Sequence, residues 1–231
     1  MAEIGKLAES VGFESIWLMD HFFQIPGVGG RAIFGVGAAW FEREHIGLGV
    51  PFPPLKERME RLEETLQIAC HMWRRDTNPF LGRYYQLREP LNSPPPLSKP
   101  HPQILVGGGG EMKTLRLVAR YADACNLSAR VIPMDQLSHK LEILRFYCRQ
   151  EGRDYDDIEK TVLFEMDPGD NGTRTQALLD ELGRFSDMGF QTAVGWVKNV
   201  EALRPLEIIG RDTVPRARSL RAGPAHGTAA A

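Results

Sequence analysis

The sequence predicts an α/β fold built on a parallel sheet, and three observations carry that expectation. Short apolar runs bounded by charge and glycine recur along the chain, as strands buried on both faces do. Between them lie segments with apolar residues at i, i+3, i+4 and i+7, the period of an amphipathic helix. Strand and helix alternate throughout, which places helices outside a parallel sheet, in a barrel or a doubly wound arrangement.

The chain opens on a helix carrying Ile4, Leu7, Ala8 and Val11. SIWLMD (15–20) reads as one strand and RAIFGVG (31–37) as the next. The ten residues between them, His21 to Gly30, are rich in proline and glycine. Parallel neighbours need a crossover of a dozen or more residues, usually a helix, and no helix fits there. Leu55, Met59, Leu62, Leu66, Ala69 and Trp73 then form the apolar stripe of a long helix, read as a core-packing face. Residues 74–102 hold seven prolines and one hairpin-like piece, GRYYQL. Their aromatic content predicts an ordered excursion over the mouth of the barrel, not a domain linker.

Four strand–helix units follow. QILVGGGG (103–110) precedes Leu115, Val118, Ala119 and Ala122; ACNLSA (124–129) precedes Leu137, Leu141, Leu144 and Cys148. TVLFEM (161–166) precedes Leu178, Leu182 and Phe185, and TAVGWV (192–197) precedes a short helix around 200–209. That makes six strands. Gly12-Phe13 and Gly189-Phe190 recur between helix and strand, with glycine expected in the left-handed cap and phenylalanine packing as the chain enters the sheet. The tail from Arg216 is small, basic and patternless, and is expected to be disordered.

Composition narrows the function classes. Apolar residues make up 42% and charged residues 25%, and the formal net charge is −2. Nothing there favours nucleic acid or an anionic membrane as partner. No apolar run approaches the length of a membrane span, and Glu3 and Lys6 within the opening helical pattern do not suit a signal peptide. Cys70, Cys125 and Cys148 are scattered and form no CxxC pair, which predicts thiols in a reducing cytoplasm and neither disulfides nor a metal site.

Ligands of parallel α/β proteins sit at the C-terminal ends of strands. The first strand ends in Asp20-His21, where a histidine either relays a proton or is a hydrogen-bonded core residue. The second ends in Gly35-Val36-Gly37, where missing side chains let a planar ligand approach the backbone. The third runs into Gly107-Gly108-Gly109-Gly110-Glu111 and a helix start. Amides of such a turn, together with a helix N-terminus, make an anion site. The Walker and Rossmann spacings are both absent, so the segment is a phosphate site of another kind or a flexible turn. Glu42 and His45 lie near a strand end without the HExxH pattern, and Glu165 and Asp167 read as a solvated rim or a ligand contact.

Taken together, GFESIWLMDHFFQIPG, GGRAIFGVGAAWFEREH, PFPPLKERMERLEETLQI, FLGRYYQL and PHPQILVGGGGEMKTLRLVARYADACNL resemble the luciferase-like monooxygenase family, in particular its branch using the deazaflavin coenzyme F420. The resemblance runs to about residue 215 and implies a (β/α)8 TIM-barrel type fold over 1–215, with 216–231 as the tail. It implies His21, with Asp20, beside the cofactor ring, Gly35 and Gly37 against its chain, and Gly107 to Gly110 with Glu111 around its phosphate. It also implies hydride transfer between a small organic substrate and F420, with FMN as the alternative cofactor of a monooxygenase, in a cytoplasmic homodimer. Trp40 stands where the sugar-phosphate dehydrogenases of the family carry a glutamate, which disfavours that substrate. Relatives have a strand before the first helix and a helix–strand–helix piece near residues 28–31. Without those pieces the barrel is expected to be incomplete, and a catalytically inactive remnant or a gap in the gene model are the alternatives.

Overall fold

The computed structural model describes residues 2–11, 13 and 33–220. The predicted strand at 15–20, Asp20, His21 and the glycines near residue 29 lie outside the described residues, as do residues 221–231.

Helix α1 (Ala2–Ser10) is followed by strand β1 (Ile33–Val36), helix α2 (Glu42–Leu48) and helix α3 (Leu55–Trp73). The hairpin β2 (Phe80–Leu81) and β3 (Gln86–Leu87) leads to β4 (Gln103–Gly107), α4 (Thr114–Tyr121), β5 (Ala124–Ser128) and α5 (Met134–Glu151). Then come β6 (Glu159–Met166), α6 (Thr175–Met188), β7 (Thr192–Val197), α7 (Arg204–Ile208) and α8 (Val214–Ala217), with a π turn at Ile209–Thr213. Five strands form one sheet in the order β1-β4-β5-β6-β7. They are five of the six expected. β1 pairs in parallel with β4 from Ile33–Gln103 to Val36–Val106, and β6 with β7 from Thr161–Thr192 to Met166–Val197.

By compactness the chain divides into two units. The first comprises Gln24–Cys125 and Lys140–Ile158. Its core is built from Met59, Leu62 and Leu66 of α3, Ile104 and Val106 of β4, Leu117, Val118 and Ala119 of α4, and Leu144 and Cys148 of α5. Each large apolar side chain buried this way contributes about 1.5–3 kcal/mol. Phe34 and Val36 of β1 pack on the same core. Strand alternation therefore turns Gly35 to the opposite face. Burial pushes the Tyr155 phenol up to about 12, and the Arg145 guanidinium lies 4.3 Å from its ring centre.

The connection at 74–102 is ordered here, as its aromatic residues predicted. Its hairpin is tied to α3: Glu64 accepts from the amides of Arg83 (2.7 Å), Tyr84 (3.0 Å) and Tyr85 (3.0 Å), and Tyr84 Oη donates to Glu60 (2.5 Å).

The second unit comprises Met1–Phe23, Asn126–His139 and Glu159–Ala231. Phe164 of β6 meets Phe185 of α6 edge-on at 5.3 Å, and Phe190 lies 6.1 Å from Phe185. Gly189 caps α6 at φ 97° with its N–H directed to Phe185 and Ser186 carbonyls, and Phe190 is buried, as the Gly-Phe pattern predicted. Order persists past residue 215, where the patternless tail was expected to begin. Val214–Ala217 is helical, and Arg216 Nη2 donates to Gln176 Oε1 at 2.8 Å, a side-chain contact that no apolar period announces. Among the described residues no helix is long and apolar enough to cross a membrane.

Candidate functional site

In the first unit, β1 and β4 end side by side with almost no side chains. A β-carbon on Gly37 would lie 3.6 Å from the Gly107 carbonyl oxygen, and one on Gly107 would lie 3.9 Å from that of Val36. A β-carbon on Gly35 would lie 3.9 Å from Leu105 Cδ2. Backbone is thus open to a flat ligand along two adjacent strand ends.

Beyond Gly107 the chain makes a tight turn into α4. Gly108 adopts φ +117°, closed to residues with a β-carbon. A β-carbon on Gly110 would come within 2.7 Å of Thr114 Oγ1. The Leu115 amide donates back to the Gly110 carbonyl at 3.0 Å, which fixes the turn to the helix start. Leu115, Leu117, Val118 and Ala119 are buried, so the N-terminus of α4 is held rigidly. A helix N-terminus carries partial positive charge and unpaired amides. A β-carbon at Gly108 or Gly110 would meet Thr114, so glycine lets the turn pack on the helix start with its backbone bare of side chains, and bare amides at a helix N-terminus suit a phosphate group.

Glu111 follows this turn and is paired with Lys140 of α5 (Nζ–Oε1 2.5 Å), whose side chain is only 14% exposed. The structure thus brings Gly35, Gly37, Gly107 to Gly110 and Glu111 into one unit, on the ends of β1 and β4. Glu42 and His45 lie on α2, where His45 Nδ1 donates to the Pro51 carbonyl at 3.1 Å. Among the described residues no group of three or more His, Cys, Asp or Glu could hold a metal ion.

At the strand ends of the second unit, Arg130 and Trp196, which the sequence reading did not single out, stand with Glu165 and Asp167, which it did. The Arg130 guanidinium lies 4.4 Å from the ring centre of Trp196, which is 58% exposed. Trp196 pairs in register with Glu165, itself exposed. Asp167 is engaged: it accepts from Lys198 Nζ (3.0 Å), the Gly169 amide (2.9 Å) and Arg174 Nη1 (2.6 Å). The Lys198 bond, then the Gly169 amide, and Arg174 hold its carboxyl below the usual aspartate range. A cation two residues past ACNLS was the available signal for Arg130, but its neighbour Trp196 becomes visible only once the sheet is assembled.

Residues 28–202 match the luciferase-like monooxygenase family. The chain belongs to that family. Among curated relatives, the FMNH2-dependent dimethylsulfone monooxygenase of Pseudomonas putida is 35% identical over 104 residues, covering 45% of this chain and 27% of that protein. The F420-dependent glucose-6-phosphate dehydrogenase of Nakamurella multipartita is 30% identical over 151 residues, covering 65% of this chain and 43% of the relative. The chain therefore spans less than half the length of either relative. Among solved structures, an F420-dependent secondary alcohol dehydrogenase in complex with an F420-acetone adduct superposes with a TM-score of 0.69 at 17% identity, covering 82% of this chain and 70% of that one. The coenzyme F420 dependent tetrahydromethanopterin reductase from Methanopyrus kandleri gives 0.65 at 13% identity, covering 80% and 74%. At these identities the likeness is one of fold, and it places this luciferase-like chain in the TIM-barrel class expected from sequence.

Proposed function

We propose that this luciferase-like chain binds a phosphate-bearing flavin-type cofactor at the ends of β1 and β4 and serves an oxidoreductase reaction, with coenzyme F420 as the cofactor. The observation that carries this reading is the glycine turn Gly107–Gly110, bare of side chains and set at the anchored N-terminus of α4. When bound, the cofactor supplies a ring that takes up or gives back a hydride. The chain's own residues bind and orient it. Gly107 to Gly110 hold the phosphate through backbone amides, and Gly35 and Gly37 leave the strand ends bare for the rest of the molecule. Lys140 keeps the Glu111 carboxylate paired beside the loop and limits its repulsion of the anion.

His21, with Asp20 beside it, is the group proposed to hold the proton. The imidazole would accept the hydroxyl proton of a small alcohol substrate, and the oxidised cofactor, when bound, would supply the hydride acceptor that oxidation to a carbonyl requires. FMN is the second reading, favoured by the stretch shared with the FMNH2-dependent relative. A homodimer is part of the proposal, and light scattering of the purified chain tests it. Titration with F420 and, separately, FMN, followed by cofactor fluorescence, tests the cofactor. Saturable micromolar binding of one supports the corresponding reading. Absence of binding by a folded, monodisperse protein leaves a catalytically inactive member of the family.

A further inference from the structure

Residues 38–58 of the first unit fold into one small subassembly. Gly49 caps α2 at φ 67°, and the chain turns back so that the Val50 amide donates to the His45 carbonyl at 2.9 Å. The His45 ring then meets the Phe52 ring edge-on at 4.9 Å. Arg58, on α3, ties the two ends of the segment together. Its Nη1 donates to the carbonyl oxygens of Ala38 (3.0 Å) and Ala39 (2.5 Å), and its Nε donates to that of Pro53 (3.0 Å). Its guanidinium carbon lies 4.1 Å from the centre of the Phe52 ring. One planar, permanently charged fork thus holds three backbone carbonyls and an aromatic face, which a lysine could not reproduce.

The surface of this piece is apolar. Helix α2 buries none of its residues. Trp40 is 80% exposed, Leu48 73% and Ile46 72%, and Leu55, Val50 and Phe41 are exposed with them. At these exposures the six side chains offer roughly 600 Å² of apolar surface, the upper end of the largest patch on a typical monomer. Homodimer interfaces are about 65% apolar, so with a polar rim this surface fits roughly 900 Å² per copy. Each partner of a stable interface buries about 800 Å².

The charges match a second copy of the chain. Between residues 38 and 58 stand Glu42, Glu44 and Glu57 against Arg43, Lys56 and Arg58, three of each sign. A two-fold axis sets one patch against itself. A balanced patch meets its own image without net repulsion, whereas a nucleic acid or an acidic surface calls for an excess of positive charge.

We propose that this subassembly is the contact between two copies of the chain, an isologous interface with Trp40, Ile46 and Leu48 as its apolar anchors. It supplies the surface of the homodimer in the previous subsection and rests on that part of the reading alone, not on the cofactor.

Sedimentation velocity over a range of concentrations tests this on the wild-type chain, Ile46→Lys, Leu48→Lys and, as a control, Val131→Lys, an exposed apolar residue of the second unit. Because α2 buries none of its residues, substitution on it spares the fold, which a thermal melt of each dilute variant checks. The wild type is expected to dimerise reversibly in the micromolar range. Ile46→Lys and Leu48→Lys are each expected to weaken the dimer at least tenfold with an unchanged thermal midpoint, and Val131→Lys to leave it as it is. Hydrogen exchange of residues 40–55 in the wild type is expected to slow as the dimer forms. A dimer that withstands both α2 substitutions overturns the proposal and leaves the homodimer to another surface. Equal weakening by Val131→Lys overturns it too, since association is then not specific to this patch. If a variant unfolds, the wild-type exchange decides: rates at 40–55 that ignore dimerisation overturn the proposal. A wild type that stays monomeric to about 200 µM overturns the surface and the homodimer together, and leaves the cofactor reading untouched.

Discussion

Thr114 Oγ1 stands 2.7 Å from the point where a β-carbon on Gly110 would lie. The turn before α4 is closed by that hydroxyl, so glycine at 110 is a packing requirement. Gly110→Ala displaces Thr114 and is expected to cost about 1–3 kcal/mol of stability, the usual range for overpacking. It is also expected to weaken cofactor binding at least tenfold. Urea denaturation and a fluorescence titration on the same preparation check both halves.

Glu64 anchors the hairpin through three backbone amides, and Gly82 leaves room for its carboxylate. Glu64→Gln keeps an acceptor but loses the charge that strengthens these bonds. With the pair partly exposed, a loss of about 1–2 kcal/mol is expected, since a hydrogen bond to a charged group contributes about 1.5–3 kcal/mol when desolvated. The urea midpoint should fall with an unchanged slope, and proteolysis should move to residues 80–87.

Asp167 titrates below its usual range because Lys198, the Gly169 amide and Arg174 favour its charged form. A carboxyl depressed in the folded state contributes stability that is present above its unfolded pKa and lost as pH falls through the folded value. Asp167→Asn is therefore expected to lower stability at neutral pH and to flatten the acid side of the profile below about pH 4. Thermal midpoints measured from pH 2 to pH 7 check this.

Tyr155 works in the opposite direction. Its phenol is raised to about 12 by burial, so the neutral form belongs to the folded state. Its contribution is whole below the unfolded value near 10 and is lost as pH rises from there through about 12. Tyr155→Phe should remove that part of the alkaline loss, read as a smaller drop in urea midpoint between pH 9 and pH 11.5 than in the wild type.

These residues also mark what the sequence made legible. Leu115, Val118, Ala119 and Ala122 were placed on one face by period alone, and all four are buried. The hairpin, the Gly189 cap and the glycine turn before α4 were equally readable, because each is a local pattern. Helix α2 was not. It buries none of its residues, so no apolar period betrays it. Glu64 read as part of the charged face of α3 because its partners lie about 20 residues away, and Arg58 hid for the same reason. Arg130 and Trp196 are joined only by strand order. Local chemistry was visible in the residues, whereas contacts that depend on assembly of the sheet were not.

The central claim is that the Gly107–Thr114 turn holds the phosphate of a flavin-type cofactor. The most direct measurement is a pair of fluorescence titrations on the wild-type chain, comparing F420 with the same deazaflavin lacking its phosphate tail, and FMN with riboflavin. The account predicts saturable micromolar binding of one phosphate-bearing cofactor and at least tenfold weaker binding of its phosphate-free partner, the order expected from two or more amide bonds to a charged group. Equal affinity with and without phosphate, or no binding of either cofactor by the folded chain, would contradict it.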